Sequence, residues 1–329
     1  MQSNKERKRW VIGIDGGGTK TRAAIADTRG QVAAILTGDA SNPLSRPWAE
    51  VEQTLRELIE ALLGRGGAGN EDVAALYLGL AGADRTLVAN QIASAFEPEW
   101  QGRLFIDNDA TAALYAGTWG EPGIVLIAGT GSIAYAIDRS EQRYRVGGWG
   151  YLLGDEGSGF DLGRQAVMAV LRAFDGRGEA TSLTEALLTH YAICSPVDAI
   201  ALIYGSANPR KELADCSRLV EQAAQAGDAV AMGIIRHATA SLVELVLACQ
   251  RQLDEPLPVV LAGGLLSADT RLRQELEKTA AFELCPPVVT PVVGALVAGM
   301  KRIWLLPDGE VIEQLRKTQA VQEGSDVDE

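Results

Sequence analysis

Val11-Ile12-Gly13-Ile14-Asp15-Gly16-Gly17-Gly18-Thr19-Lys20-Thr21 and Ile124-Val125-Leu126-Ile127-Ala128-Gly129-Thr130-Gly131-Ser132-Ile133 are two versions of one pattern. Each opens on an apolar, β-branched run and turns through glycine with Thr or Ser. Each then resumes as a second strand, Ala23-Ala24-Ile25-Ala26-Asp27 after the first and Ile133-Ala134-Tyr135-Ala136-Ile137 after the second. Two such hairpins in one chain predict two related halves that grip a polyphosphate. A turn without side chains lets backbone N–H groups approach phosphate oxygens closely. A tight hairpin also calls for positive φ, which glycine adopts without a Cβ clash. Thr19, Thr130 and Ser132 can add hydroxyl donors, and Asp15 ends its strand where a carboxylate could serve Mg2+. A Walker loop needs glycine directly before Lys-Ser/Thr, but Thr19 separates Gly18 from Lys20; a dinucleotide fingerprint needs a helix next. The plain alternative is two ordinary glycine hairpins.

Outward from the first turn, strands are predicted near 10–15, 21–27 and 31–36. A helix follows over 47–63, its stripe formed by Trp48, Val51, Leu55, Leu58, Ile59 and Leu62. The apolar run Val73–Leu80 reads as a buried parallel strand. A helix over 85–96, a short strand over 104–107 and a helix over 110–117 complete this half. The turn-rich stretch 117–123 marks the boundary. The meander repeats at 123–129, 132–138 and 143–147. Helices are predicted over 159–174, 181–192, 210–226 and 228–252, then a strand at 258–261, a helix near 267–280, a strand at 282–285 and a helix at 291–304. The domains are therefore expected at 1–118 and 119–306, the second larger and carrying a helical insertion. A helix at 307–319 is a candidate addition to the first. Residues 320–329 are expected to form a disordered acidic tail.

The 329 residues suit two domains, and 47% hydrophobic with 22% charged residues marks a globular chain. A net charge of −13 argues against nucleic acid or an anionic membrane as partner. Cys194, Cys216, Cys249 and Cys285 form no CxxC unit and read as buried, reduced thiols, the first three in helical stretches. The basic start, Met1 to Arg9, precedes an apolar run too short for a signal peptide. The apolar stretch 284–300 is broken by Pro286, Pro287 and Pro291, so it is not read as a membrane span, and the cytoplasm is the expected place.

Two further segments carry chemistry. Phe105-Ile106-Asp107-Asn108-Asp109-Ala110 sets carboxylates between a strand and a helix. One Asp could cap the helix and the other serve as a general base toward an alcohol, so Asp109 as cap and Asp109 as base stand level. Gly147-Gly148-Trp149-Gly150-Tyr151-Leu152-Leu153-Gly154-Asp155-Glu156-Gly157-Ser158-Gly159 reads either as a flexible connection or as a sugar pocket. In the pocket an aromatic face would stack on the ring and a carboxylate would take hydroxyls.

Together with Ala262-Gly263-Gly264, these segments resemble the N-acetylglucosamine kinase branch of the BadF/BadG/BcrA/BcrD ATPase family, in the sugar kinase, Hsp70 and actin superfamily. The resemblance runs from about residue 10 to 300. It implies an α/β fold of two ribonuclease-H-like (actin-like ATPase) domains with a central ATP and sugar cleft. It implies ATP held by Asp15, Gly16, Gly17, Gly18, Thr19, Lys20, Gly129, Thr130, Gly131, Ala214, Gly263 and Gly264, with Mg2+ at Asp15 through water. It implies an amino sugar held by Asn42, Asp109, Ser132, Gly148, Trp149, Gly150, Asp155 and Gly159, with Asp109 as the base. The implied reaction moves the γ-phosphate of ATP to the C6 hydroxyl of N-acetylglucosamine, with glucosamine or N-acetylmuramic acid as alternatives, and a homodimer is expected. Ala81 departs from the Ser common in relatives, which puts the exact sugar in doubt. Two rivals share the fold. One is an iron–sulfur activator ATPase of radical dehydratases, which needs cysteines on glycine-rich loops. The other is a non-enzymatic actin- or Hsp70-like nucleotide-binding module.

Overall fold

The computed structural model describes residues 9–323. The basic start Met1–Lys8 and the tail segment Gly324–Glu329 lie outside the described residues. The chain divides into two compact units, 1–122 with 287–329, and 123–286.

The first unit opens with β1 (Trp10–Gly16), β2 (Lys20–Asp27) and β3 (Val32–Asp39), an antiparallel meander. Helix α1 (Trp48–Gly66) buries Val51, Leu55, Leu58, Ile59 and Leu62, the stripe read from the sequence. It stops at Gly67, whose φ of +61° forms a left-handed cap. Strand β4 (Val73–Leu80) is buried along its whole length and pairs parallel with β1. Helix α2 (Thr86–Trp100), strand β5 (Leu104–Asp107) and helix α3 (Asp109–Thr118) follow, β5 parallel to β4. The sheet order is β3-β2-β1-β4-β5. Its parallel strands β1, β4 and β5 therefore end on the same edge, at Gly16, Leu80 and Asp107.

The second unit repeats that order. β6 (Gly123–Ala128), β7 (Ser132–Ile137) and β8 (Arg143–Gly147) form its meander. A helical stretch follows: α4 (Gly159–Phe174), α5 (Leu183–Tyr191), α6 (Asp198–Gly205), α7 (Pro209–Asp215), α8 (Ser217–Gln225) and α9 (Ala229–Gln250). Then come β9 (Val259–Ala262), α10 (Gly264–Ser267), α11 (Arg271–Thr279) and β10 (Leu284–Cys285). The order β10-β9-β6-β7-β8 matches the first sheet strand for strand, with β6, β9 and β10 parallel. By length and composition α9 could cross a bilayer, but Ile234, Ile235, Leu242 and Val246 bury it in this unit's core.

The chain then returns to the first unit with α12 (Pro291–Arg302) and α13 (Gly309–Glu323). This differs from the sequence-based boundary, which kept residues through 306 in the second half. The cause is backbone packing. A Cβ on Gly13 of β1 would lie 2.5 Å from the Leu296 nitrogen of α12, and one on Gly294 would lie 2.0 Å from the Ala112 carbonyl oxygen of α3. Val288 and Val289 N–H groups both donate to the Ala116 carbonyl, which ties the approach to α12 onto α3. Helix α13 lies over the β2–β3 turn, where Gly30 at φ +82° meets Val311. It continues to Glu323, so residues 320–323 are helical rather than the start of a disordered tail.

Candidate active site

The first glycine turn joins β1 to β2 at the carboxyl edge of its sheet. Gly17 N–H donates to the Lys20 carbonyl, and the Gly17 carbonyl accepts from Ser41 N–H. None of Gly16, Gly17, Gly18, Gly129 or Gly131 has positive φ, which corrects the sequence argument for these glycines. Neither loop is the two-residue turn that demands it: Gly16 pairs with Thr21 and Ala128 with Ser132, which leaves four and three residues between. Space is the actual requirement. A Cβ on Gly16 would fall 2.1 Å from Ser41 Oγ and 2.4 Å from Leu80 Cδ2. Gly17, Gly18 and Gly129 meet nothing closer than 3.7 Å, so their surroundings are open to a ligand. Thr19 and Lys20 are exposed at the tip.

Asp15, at the end of β1, lies opposite Arg22 of β2 and Gly79 of β4. Burial pushes its pKa up to about 7 from 3.8, and the Asp109 carboxylate adds to the rise; Arg22 and Lys20 oppose it. Asp15 and Asp109 are thus close enough to repel. A divalent cation would relieve both effects, and a hard oxygen ligand next to a phosphate turn fits Mg2+, which takes one or two carboxylates plus phosphates.

In the β5–α3 segment the capping role falls to Asn108. Asn108 is the N-cap of α3, its Oδ1 accepting from Ala110 N–H at 2.9 Å. Its Nδ2 donates to Asp84 Oδ1 at 3.2 Å. Asp107 is buried, accepts from its neighbour's N–H, and pairs with Arg302 of α12 at 3.3 Å. Asp109 is half-buried at the first turn of α3. Asn42 belongs to the same edge. Its Oδ1 accepts from Leu44 N–H, and its Nδ2 lies 4.0 Å from where a Cβ of Gly18 would stand. Ala81 donates its N–H to the Gly16 carbonyl, so the segment carrying Gly82, at φ +81°, is tied to the first turn.

In the second unit Gly129 N–H donates to the Gly131 carbonyl, and the Gly129 carbonyl accepts from Gly159 N–H at 2.7 Å, the start of α4. A Cβ on Gly159 would lie 3.5 Å from the Ala214 carbonyl, so Gly129, Gly159 and Ala214 share one neighbourhood. Gly263 has φ +83°, and a Cβ there would strike the Ala128 carbonyl at 2.4 Å; this and Gly264 bring β9's end beside the second turn. Thr130 is exposed at its tip. Ser132 is buried, and its Oγ donates to the Glu156 carbonyl at 2.7 Å.

The glycine-rich segment is an irregular loop of short turns between β8 and α4. Gly147, Gly148, Gly150 and Gly157 all have positive φ, as does Asp155 at +65°. Trp149 is 61% exposed, with the Arg145 guanidinium 5.1 Å from its ring centre. Asp155 folds back and is only 3% exposed. Its Oδ2 accepts from Arg210 Nη2 at 3.1 Å, and its Oδ1 faces Ser132 N–H at 3.5 Å. Sequence reasoning missed Asp84, Arg210 and Arg302, and gave Asn108 no role. Of these only the Asn108 cap had a local signal, as a cap residue one position before a helix.

The cysteines also depart from expectation. Cys194 is exposed, because it lies in the bend between α5 and α6 rather than in a helix, and Cys285 is half-buried at the edge strand β10. Cys216 and Cys249 are buried, and burial pushes the Cys249 thiol to about 12.

The model of one family, described as the BadF/BadG/BcrA/BcrD ATPase family, matches residues 12–299. The chain belongs to that family. It is similar to an N-acetylmuramic acid/N-acetylglucosamine kinase of Clostridium acetobutylicum, 36% identical over 82% of this chain and 90% of the relative. An N-acetyl-D-glucosamine kinase of Dictyostelium discoideum is 31% identical over 89% and 98%. A crystal structure of a candidate N-acetylglucosamine kinase from Chromobacterium violaceum superimposes with a TM-score of 0.71 at 31% identity, covering 89% of this chain and 99% of that one. The fold is that of the sugar kinases of the actin-like ATPase class, as expected.

Proposed function

We propose that this chain is an amino-sugar kinase that transfers the γ-phosphoryl group of ATP to the C6 hydroxyl of N-acetylglucosamine. The observation that carries the reading is the pairing of Asp15 and Asp109 beside the first glycine turn. Asn108 caps α3 and Asp107 binds Arg302, while Asp109 opens α3 near enough to Asp15 to raise its pKa. Asp109 orients the sugar hydroxyl and accepts its proton as the oxygen attacks phosphorus in line. Backbone N–H groups of the Gly16–Thr19 and Gly129–Gly131 turns receive the phosphate oxygens, and Lys20 adds a positive charge. Mg2+, when bound beside Asp15, neutralises charge that builds on the phosphates. Adenosine rests near Ala214, Gly263 and Gly264. Asn42, Trp149, Gly148, Gly150, Asp155 and Gly159 hold the sugar.

N-acetylmuramic acid, which adds a lactyl ether at C3, is the second acceptor to consider, because the relative in Clostridium acetobutylicum is named for both sugars. Asp109→Asn tests the central role. The variant binds ATP and sugar as the wild type does and loses kcat by about 10²–10⁴-fold, the usual worth of a general base. A kcat near that of the wild type refutes Asp109 as the base.

A further inference from the structure

Asp155 is nearly fully buried and held at a left-handed φ, a conformation that costs a non-glycine residue energy and persists only when its surroundings enforce it. One restraint on it comes from α7. Arg210, next after the Pro209 that opens that helix, reaches Asp155 Oδ2 at 3.1 Å and lies 5.7 Å from the Tyr151 ring centre. Tyr151 in turn meets Phe160 edge-on at 5.1 Å. A Cβ on Gly131 would stand 2.9 Å from both Arg210 Nη2 and Asp155 Oδ2, so the pair packs against the second glycine turn. The Arg210 Nε is buried with no hydrogen-bond partner among the described residues. Its contact with Asp155 is therefore a main polar anchor of the guanidinium.

We propose that Arg210 is a positioning residue for the sugar acceptor: it holds the Asp155 carboxylate aimed so that it can accept hydrogen bonds from sugar hydroxyls. This inference rests on the reading of Asp155 as a sugar ligand. Three groups face that carboxylate: Arg210 from α7, Ser132 N–H from β7 and the neighbouring Glu156. Burial raises the Asp155 pKa most; Arg210 and then Ser132 N–H lower it, and Glu156 raises it. Arg210 is thus the opposing cation. A buried carboxylate that loses its cation is left uncompensated and takes up a proton instead. A protonated Asp155 loses one acceptor oxygen and the charge that strengthens its bonds to hydroxyls.

The experiment measures equilibrium binding of N-acetylglucosamine and of ATP, separately, by calorimetry from pH 6 to pH 9. It compares the wild type with Arg210→Met, Arg210→Lys, Asp155→Asn and the double variant Arg210→Met/Asp155→Asn. Arg210→Met weakens sugar binding by about tenfold or more at pH 7, and the loss shrinks as pH rises, because the carboxylate recovers its charge. ATP binding is unchanged. Arg210→Lys restores part of the affinity, since it keeps the charge without the planar fork that stacks on Tyr151. In the double variant Arg210→Met adds nothing to the effect of Asp155→Asn, as expected of a residue that acts through its partner. A loss independent of pH, an equal loss for ATP, or additive effects in the double variant would overturn the inference. If Asp155→Asn itself leaves sugar binding intact, the assignment of Asp155 fails. If Asp155→Asn is defective and Arg210→Met is not, the role of Arg210 alone fails.

Discussion

Replacing Asp15 by Asn should stabilise the protein in the absence of nucleotide while abolishing its chemistry. The Asp15 pKa rises from 3.8 to about 7 in the fold, chiefly through burial and then through Asp109. A carboxyl whose folded pKa is raised holds its proton more tightly in the native state. Its penalty is absent below the unfolded value, grows between the two values, and is complete above about 7. At ~1.4 kcal/mol per pH unit, the ionised carboxylate costs about 4 kcal/mol at pH 8 and less than about 2 kcal/mol at pH 5. Asn carries no charge and has nearly the same shape, so the variant avoids this penalty. For a unit of this size ~1 kcal/mol shifts Tm by about 2–4 °C. Differential scanning calorimetry without Mg2+ or ATP should therefore show the Asn variant melting about 8 °C or more above the wild type at pH 8, and by less than half that margin at pH 5. Adding MgATP should stabilise the wild type more than the variant. An equal Tm gain at both pH values, or a lower Tm at pH 8, refutes the reasoning that Asp15 is held at an electrostatic cost for its ligand.

Two of the three glycines in the first turn, Gly16 and Gly18, should separate space from ligand access. Gly16→Ala places a Cβ 2.1 Å from Ser41 Oγ and should lower Tm sharply, whereas Gly18→Ala has room, should melt as the wild type does and should weaken ATP binding; equal Tm losses would refute the distinction. Trp149→Ala removes an exposed ring from the sugar loop and should raise KM for the sugar far more than for ATP; an equal rise for both would remove Trp149 from the sugar pocket.

The strands were legible where burial is continuous. β1, β4 and β6 read directly because they are apolar runs of strand length, and α1 read because its stripe keeps helical period. Helix α6 was not legible, since Ile200, Leu202 and Tyr204 are all exposed and leave no one-sided stripe. The stretch 210–226 split at Cys216 into α7 and α8. At that junction Leu213 packs directly on Gly163 of α4, a tertiary contact with no local sequence signal. The site shows the same division. Asp15, Asp109 and Asp155 stood out because each follows or precedes a glycine-rich or strand-ending motif. Their neighbours did not: Asp84 joins Asn108 from 24 residues away, Arg210 joins Asp155 from 55, and Arg302 joins Asp107 from 195. Sequence spacing identifies which carboxylates are candidates, but only the fold shows which are already engaged. The boundary at α12 follows the same rule, because glycine contacts with β1 and α3 decide where that helix packs.

The central claim is phosphoryl transfer to an amino sugar. It is tested most directly by coupled ADP release from MgATP over N-acetylglucosamine, glucosamine, N-acetylmuramic acid and glucose, with the product's phosphate position read by NMR. The account predicts that N-acetylglucosamine accelerates ADP release well above the rate without sugar and that the ester forms at C6. ADP release that no amino sugar accelerates, or a phosphate at the anomeric oxygen, would contradict it.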